Sequence, residues 1–125
     1  WEETDYNKRA SQNGYKAYQL NIVKVKHEKG KAVKTNNLKD IEKLENLYTW
    51  HFIWSKFYYF NKHYGKLLSL IYFTPILIRI LFRMSVYKLI KSNKFTKYYC
   101  RWDGLKSSIL NKKSLMRLDK IPTRL

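Results

Sequence analysis

Three carboxylates fall within four positions at the start of this chain, in Trp1-Glu2-Glu3-Thr4-Asp5-Tyr6, although the 125 residues carry only 9 acidic side chains against 26 basic ones. A carboxylate can take a proton from an attacking hydroxyl or help to hold a divalent cation. Grouped carboxylates repel one another unless a cation or a proton-transfer duty offsets the repulsion. Glu3, Glu2 and Asp5 are therefore candidate catalytic residues. The plainer reading is an acidic first turn of a helix, favoured by the positive end of the macrodipole. His27, between Lys26 and Glu28, reads by itself as a solvated histidine at a strand end. Arg9 stands four residues after Asp5, the spacing of a helical ion pair. His51 and His63 lie in an aromatic stretch without a second ligand at useful spacing, which favours packing or interfacial roles. Cys100, the single cysteine, excludes an intramolecular disulfide and a cysteine-based zinc cluster.

These residues need elements to position them. Residues 4–13 have helix-compatible composition, and Gly14 is placed to end that helix in a left-handed conformation. In residues 15–27, Ile22, Val23 and Val25 are β-branched, and Val23, Val25 and His27 share one side of a period-2 pattern, so one or two short strands are expected. Residues 28–37 form a polar loop around Gly30. Asn37 can cap the next helix, in which Leu38, Ile41, Leu44, Leu47 and Tyr48 recur at helical spacing; it is expected to span residues 38–64 and to stop at Gly65. Residues 67–87 are the most apolar. No charge occurs between Leu67 and Ile78, but Pro75 kinks the segment and Arg79 and Arg83 interrupt it, so an interfacial or re-entrant helix pair is expected over a simple span. Residues 88–113 read as one or two basic amphipathic helices, broken near Ser92-Asn93. Residues 114–125 are expected to fray as a flexible tail.

The charge is uneven. Residues 1–55 hold 10 basic and 7 acidic side chains, whereas residues 56–125 hold 16 basic and 2 acidic. Such an excess points to an anionic partner for the second half, lipid headgroups or nucleic acid. With 17% aromatic residues the chain is too rich in rings for a disordered basic tail. Trp50, Trp54 and Tyr58 suit a headgroup region, and Arg79, Arg83, Lys88 and Lys91 suit an anionic leaflet; these seven are the candidate membrane contacts.

From Trp1 to Tyr15 the pattern is aromatic–acid–acid–x–Asp–Tyr, then Arg9-Ala10 and Gly14-Tyr15, with a histidine following at His27. This closely resembles the acidic motif and following helix of glycosyltransferase family 2 enzymes, whose nucleotide-sugar-binding fold is of the GT-A type. The resemblance implies that Glu3, the second acid of the pair, is the general base on the acceptor hydroxyl. It implies that His27 helps to bind a divalent cation, Mn or Mg, and that Asp5 orients the helix start or hydrogen-bonds the acceptor. Many relatives have Asp where Glu3 stands, which leaves the base role open between Glu3 and Glu2. Residues 48–66, YTWHFIWSKFYYFNKHYGK, resemble the aromatic, basic helix that follows the catalytic domain in rhamnosyltransferase-like members; residues 67–113 match in character only.

The fold expected is thus mainly α with a short β portion. Residues 1–37 would be the C-terminal end of a GT-A catalytic domain, residues 38–113 a helical membrane-associated region, and residues 114–125 a tail. The implied activity is inverting transfer from a nucleotide-sugar donor to a lipid-linked or polysaccharide acceptor, at the cytoplasmic face of the cell membrane, with no nucleic acid expected. The chain has no glycine-rich phosphate loop and no second acidic cluster. It reads as a piece whose natural start lies upstream, and the 125 residues alone are expected not to catalyse transfer. The rival is a basic, aromatic membrane-surface or nucleic-acid-binding module without catalysis.

Overall fold

The computed structural model describes residues 1–18, 20–24 and 37–122, with the backbone alone for Leu38. Within these the chain forms four α-helices, α1 (Glu2–Gln12), α2 (Leu38–Tyr64), α3 (Lys66–Leu89) and α4 (Lys94–Ile109), then a short 3₁₀ turn at Leu118–Lys120. The mainly helical expectation holds. No strand occurs among the described residues, and this corrects the expected short β portion. Residues 15–18 and 20–24 are irregular and exposed, with Ile22 94% exposed. β-Branched residues make a strand only where a partner supplies a ladder and an apolar face, and these positions have neither. Val25 and His27 lie outside the described residues.

Each helix end follows from local chemistry. Gly14 adopts φ +82°, and the Tyr15 and Gly14 amides donate to the carbonyls of Ala10 and Ser11, which closes α1 with satisfied acceptors. The Asn37 side chain accepts from the Lys39 amide at 3.0 Å and starts α2. Gly65, also at φ +82°, ends α2 and begins α3, folding the two into a hairpin. The second break falls at residues 90–93, as expected from Ser92-Asn93.

Helix α2 packs most extensively on α4, and α3 lies against both. Ile53, Phe57, Phe73, Ile80 and Leu105 form the core, with the Phe57 and Phe73 rings edge-to-face at 5.1 Å. Gly104 permits the close α2–α4 approach: a Cβ there would stand 2.6 Å from the Trp50 carbonyl oxygen. Beyond α4 the chain returns along α2. The Trp54 indole donates to the Lys112 carbonyl, His51 Nε2 donates to the Met116 carbonyl, and Ile121 is buried against Trp50 and Cys100. Up to Pro122 the expected frayed end is a packed one, because Ile121 and Met116 have apolar partners to reach.

Residues 66–89 form one continuous helix through Pro75, not the expected pair. Pro75 is exposed, so the backbone carbonyl it leaves unpaired is not sealed in a core. At 1.5 Å per residue α3 is about 36 Å long, against a hydrocarbon thickness of about 30 Å. By length and composition it is able to cross a membrane, and only 17% of its most apolar window is buried inside the fold.

Candidate functional site

The acidic motif occupies the first turn of α1, where Glu2, Glu3 and Asp5 face the positive end of the helix. The three carboxylates do not share one environment. Asp5 is four-fifths covered and accepts from Lys62 Nζ at 2.8 and 2.9 Å, from His63 Nε2 at 2.6 Å and from Arg9 Nε at 3.0 Å. Hydrogen bonds from Lys62 and His63, then the charges of Lys62 and Arg9, hold its carboxyl down at about 2. Glu2 is exposed. Glu3 is exposed and makes no hydrogen bond or ion pair among the described residues.

Two further contacts fix α1 on the C-terminal half of α2. The Trp1 ring sits among Phe52, Tyr59 and Phe60 at centroid distances of 5.4–6.2 Å, with its indole N–H buried and unpartnered. Lys8 Nζ lies 3.9 Å from the centre of the Tyr64 ring. Asp5 is thus the anchor of the motif, while Glu2 and Glu3 stay exposed to solvent. The i,i+4 pairing of Asp5 with Arg9 was readable from spacing. The pairing with Lys62 and His63 was not, since it spans 57 and 58 positions.

Among the described residues no three His, Cys, Asp or Glu side chains gather as a metal shell. The Asp5 oxygens are already held by cationic donors, so the described residues by themselves do not fit a divalent cation; His27 lies outside them. Cys100 is no nucleophile either. Burial, and then the charge of Asp103, pushes its thiol up to about 11.

The candidate membrane contacts divide. Trp50 is 2% exposed and its indole donates to Asp103 Oδ2 at 2.8 Å, so it is a core residue and not a surface ring. Aromatic composition signals an amphipathic ring without saying which side it faces. Trp54 is half-buried beneath the returning tail and stacks at 5.0 Å on Tyr58, which is exposed. Lys88 and Lys91 are exposed at the α3–α4 corner. Arg79 and Arg83 project from the flank of α3 towards α4, leaving Leu67, Ile71, Ile78, Phe82 and Leu89 as an exposed stripe free of charge. The arginines that interrupt the apolar run in sequence therefore do not interrupt its outer face.

Comparison with known protein families, with curated protein sequences and with solved structures finds no match to this chain.

Proposed function

We propose that this chain is the C-terminal part of an inverting, GT-A-type family 2 glycosyltransferase that moves a sugar from a nucleotide-sugar donor to a lipid-linked glycan acceptor. The observation that carries the reading is the division of labour in the acidic turn: Asp5 is saturated by Lys62, His63 and Arg9 and pins α1, while Glu3 and Glu2 are exposed in the same turn. A general base must reach an acceptor hydroxyl and must not be neutralised by a salt bridge, and Glu3 meets both demands. In this reading Glu3 is the base, Glu2 its neighbour at the acceptor, and Asp5 a positioning residue.

Inverting transfer also wants a cation on the departing diphosphate, manganese or magnesium; the resemblance assigns its binding to His27, which lies outside the described residues. The uncharged outer stripe of α3 supports attachment to a membrane, where an enzyme meets a lipid-linked acceptor at raised effective concentration; the cytoplasmic face is what the family resemblance implies. That stripe also favours a membrane-surface role over nucleic-acid binding, which has no use for it.

The test is Glu3→Gln in the polypeptide that joins this chain to its nucleotide-binding half. Transfer should fall by about 10²–10⁴-fold while binding to vesicles is unchanged. Full activity in that variant would remove the assignment.

A further inference from the structure

A groove of about 600 Å³ runs between α2, α3 and α4, and its walls carry Lys56, Arg79, Arg83, Lys97 and Arg101 without a single carboxylate. Among the described residues none of these five cations makes an ion pair. Like charges in a cleft with low-dielectric walls repel one another with little screening, and an anion of matching charge relieves them. The placement is regular. Arg79 and Arg83 are one turn apart on α3, Lys97 and Arg101 one turn apart on α4, and Lys56 is added from α2. Arginine's planar fork grips phosphate oxygens two at a time, and lysine adds a point charge.

Tyr98 reports the potential inside. Arg83 Nη1 donates to its hydroxyl at 2.6 Å, and the guanidinium carbons of Arg101 and Arg83 lie 5.1 and 5.7 Å from its ring centre. Burial pushes the phenol up, but the Arg83 hydrogen bond and the charges of Arg83, Arg101 and Arg79 outweigh it and lower the pKa. Oxygen anions are favoured here.

The surroundings say what presents the anion. One wall is α3, whose outer stripe of Ile71, Ile78, Phe82 and Leu89 is apolar and exposed, with Arg79 and Arg83 on its flank. An amphiphile lying along that stripe brings its headgroup to the groove. Another wall contains Phe52, 6.2 Å from the Trp1 ring, and Lys56, whose ammonium is 5.7 Å from that ring; the groove therefore opens beside the acidic turn of α1.

We propose that this groove binds the diphosphate group of a membrane-embedded lipid. Naming it the seat of the acceptor's diphosphate rests on the glycosyltransferase reading; the binding itself rests on the groove alone.

Vesicle co-sedimentation of the full chain separates these ideas without measuring transfer. Neutral phosphatidylcholine vesicles doped with a long-chain isoprenoid diphosphate are compared with vesicles of equal surface charge made with phosphatidylglycerol. The diphosphate vesicles should bind at least about tenfold more tightly, with millimolar inorganic pyrophosphate competing. Arg79→Gln with Lys97→Gln should abolish that preference, about a tenfold loss per charge-assisted contact. Among the described residues neither side chain makes a hydrogen bond or an ion pair, so an unchanged circular dichroism spectrum is expected. Lys88→Gln with Lys91→Gln, outside the groove, should weaken binding to both vesicles equally. Equal binding to charge-matched vesicles, or a preference that survives the groove variant, would overturn the proposal. Free pyrophosphate bound as tightly as the lipid would overturn the membrane assignment. Glu3→Gln should leave binding intact, so loss of transfer and loss of binding are separable.

Discussion

Helix α1 and the α2–α3–α4 bundle are held by different physics. The bundle buries Phe57, Phe73 and Leu105 almost completely, and its helices meet mainly through apolar side chains, with Asp103 accepting from Trp50 and Arg83 donating to Tyr98 beside them. Helix α1 buries no residue of its own and is tied to α2 by the ion pairs of Asp5, by Lys8 over Tyr64, and by the Trp1 ring. Apolar burial is indifferent to pH and to moderate salt, whereas exposed ion pairs are screened within about 10 Å at 0.1 M salt. The bundle is thus a scaffold, and the acidic turn is a piece docked on it by charge. Such a mounting keeps the carboxylates of the acidic turn outside the core, where ionisation would be costly.

The comparison breaks first at the core. Phe57→Ala removes a wholly buried ring at the meeting of α2 and α3, and should cost about 3–5 kcal/mol. Urea unfolding in mild detergent, followed by circular dichroism, measures it. Gly104→Ala should follow at about 1–3 kcal/mol, because the new methyl meets the Trp50 carbonyl oxygen at 2.6 Å and the Ile53 side chain at 2.8 Å, and a backbone oxygen gives way only if α2 and α4 part. A stability change within experimental error in either variant would mean that the bundle is not the rigid member of the pair.

How much of this was legible depended on whether a feature is local. The Asn37 cap, the helical period from Leu38 onward, the Gly65 stop and the break at Ser92-Asn93 are written in neighbouring residues, and each lies where sequence places it. Trp50 was misjudged because its environment is set by Asp103, 53 positions away, and by the bare face of Gly104. Arg79 and Arg83 looked like breaks in an apolar run because a linear reading ignores which side of the helix they occupy. In the acidic site, the motif and the Asp5–Arg9 pair could be read, but the separate fates of Asp5 and Glu3 could not. Only the fold brings Lys62 and His63 to one carboxylate and leaves the other open.

The smallest effect on global stability, and the sharpest on the comparison, belongs to Asp5. Its carboxyl is depressed from 3.8 to about 2 by Lys62, His63 and Arg9. A depressed carboxylate contributes stability that is fully present above its unfolded pKa and is lost as pH falls through the folded one. Docking of α1 should therefore be complete above pH 4 and fade between about pH 4 and 2. Asp5→Asn should mimic the acid state at neutral pH, because the amide keeps the shape but not the charge. Hydrogen exchange at α1 amides should rise several-fold in that variant, and added salt should raise it in the unaltered chain, while amides of α2 and α4 keep their protection. If α1 stays protected at pH 2, then Trp1 and Lys8 hold it without Asp5, and the docking does not depend on that carboxylate's charge.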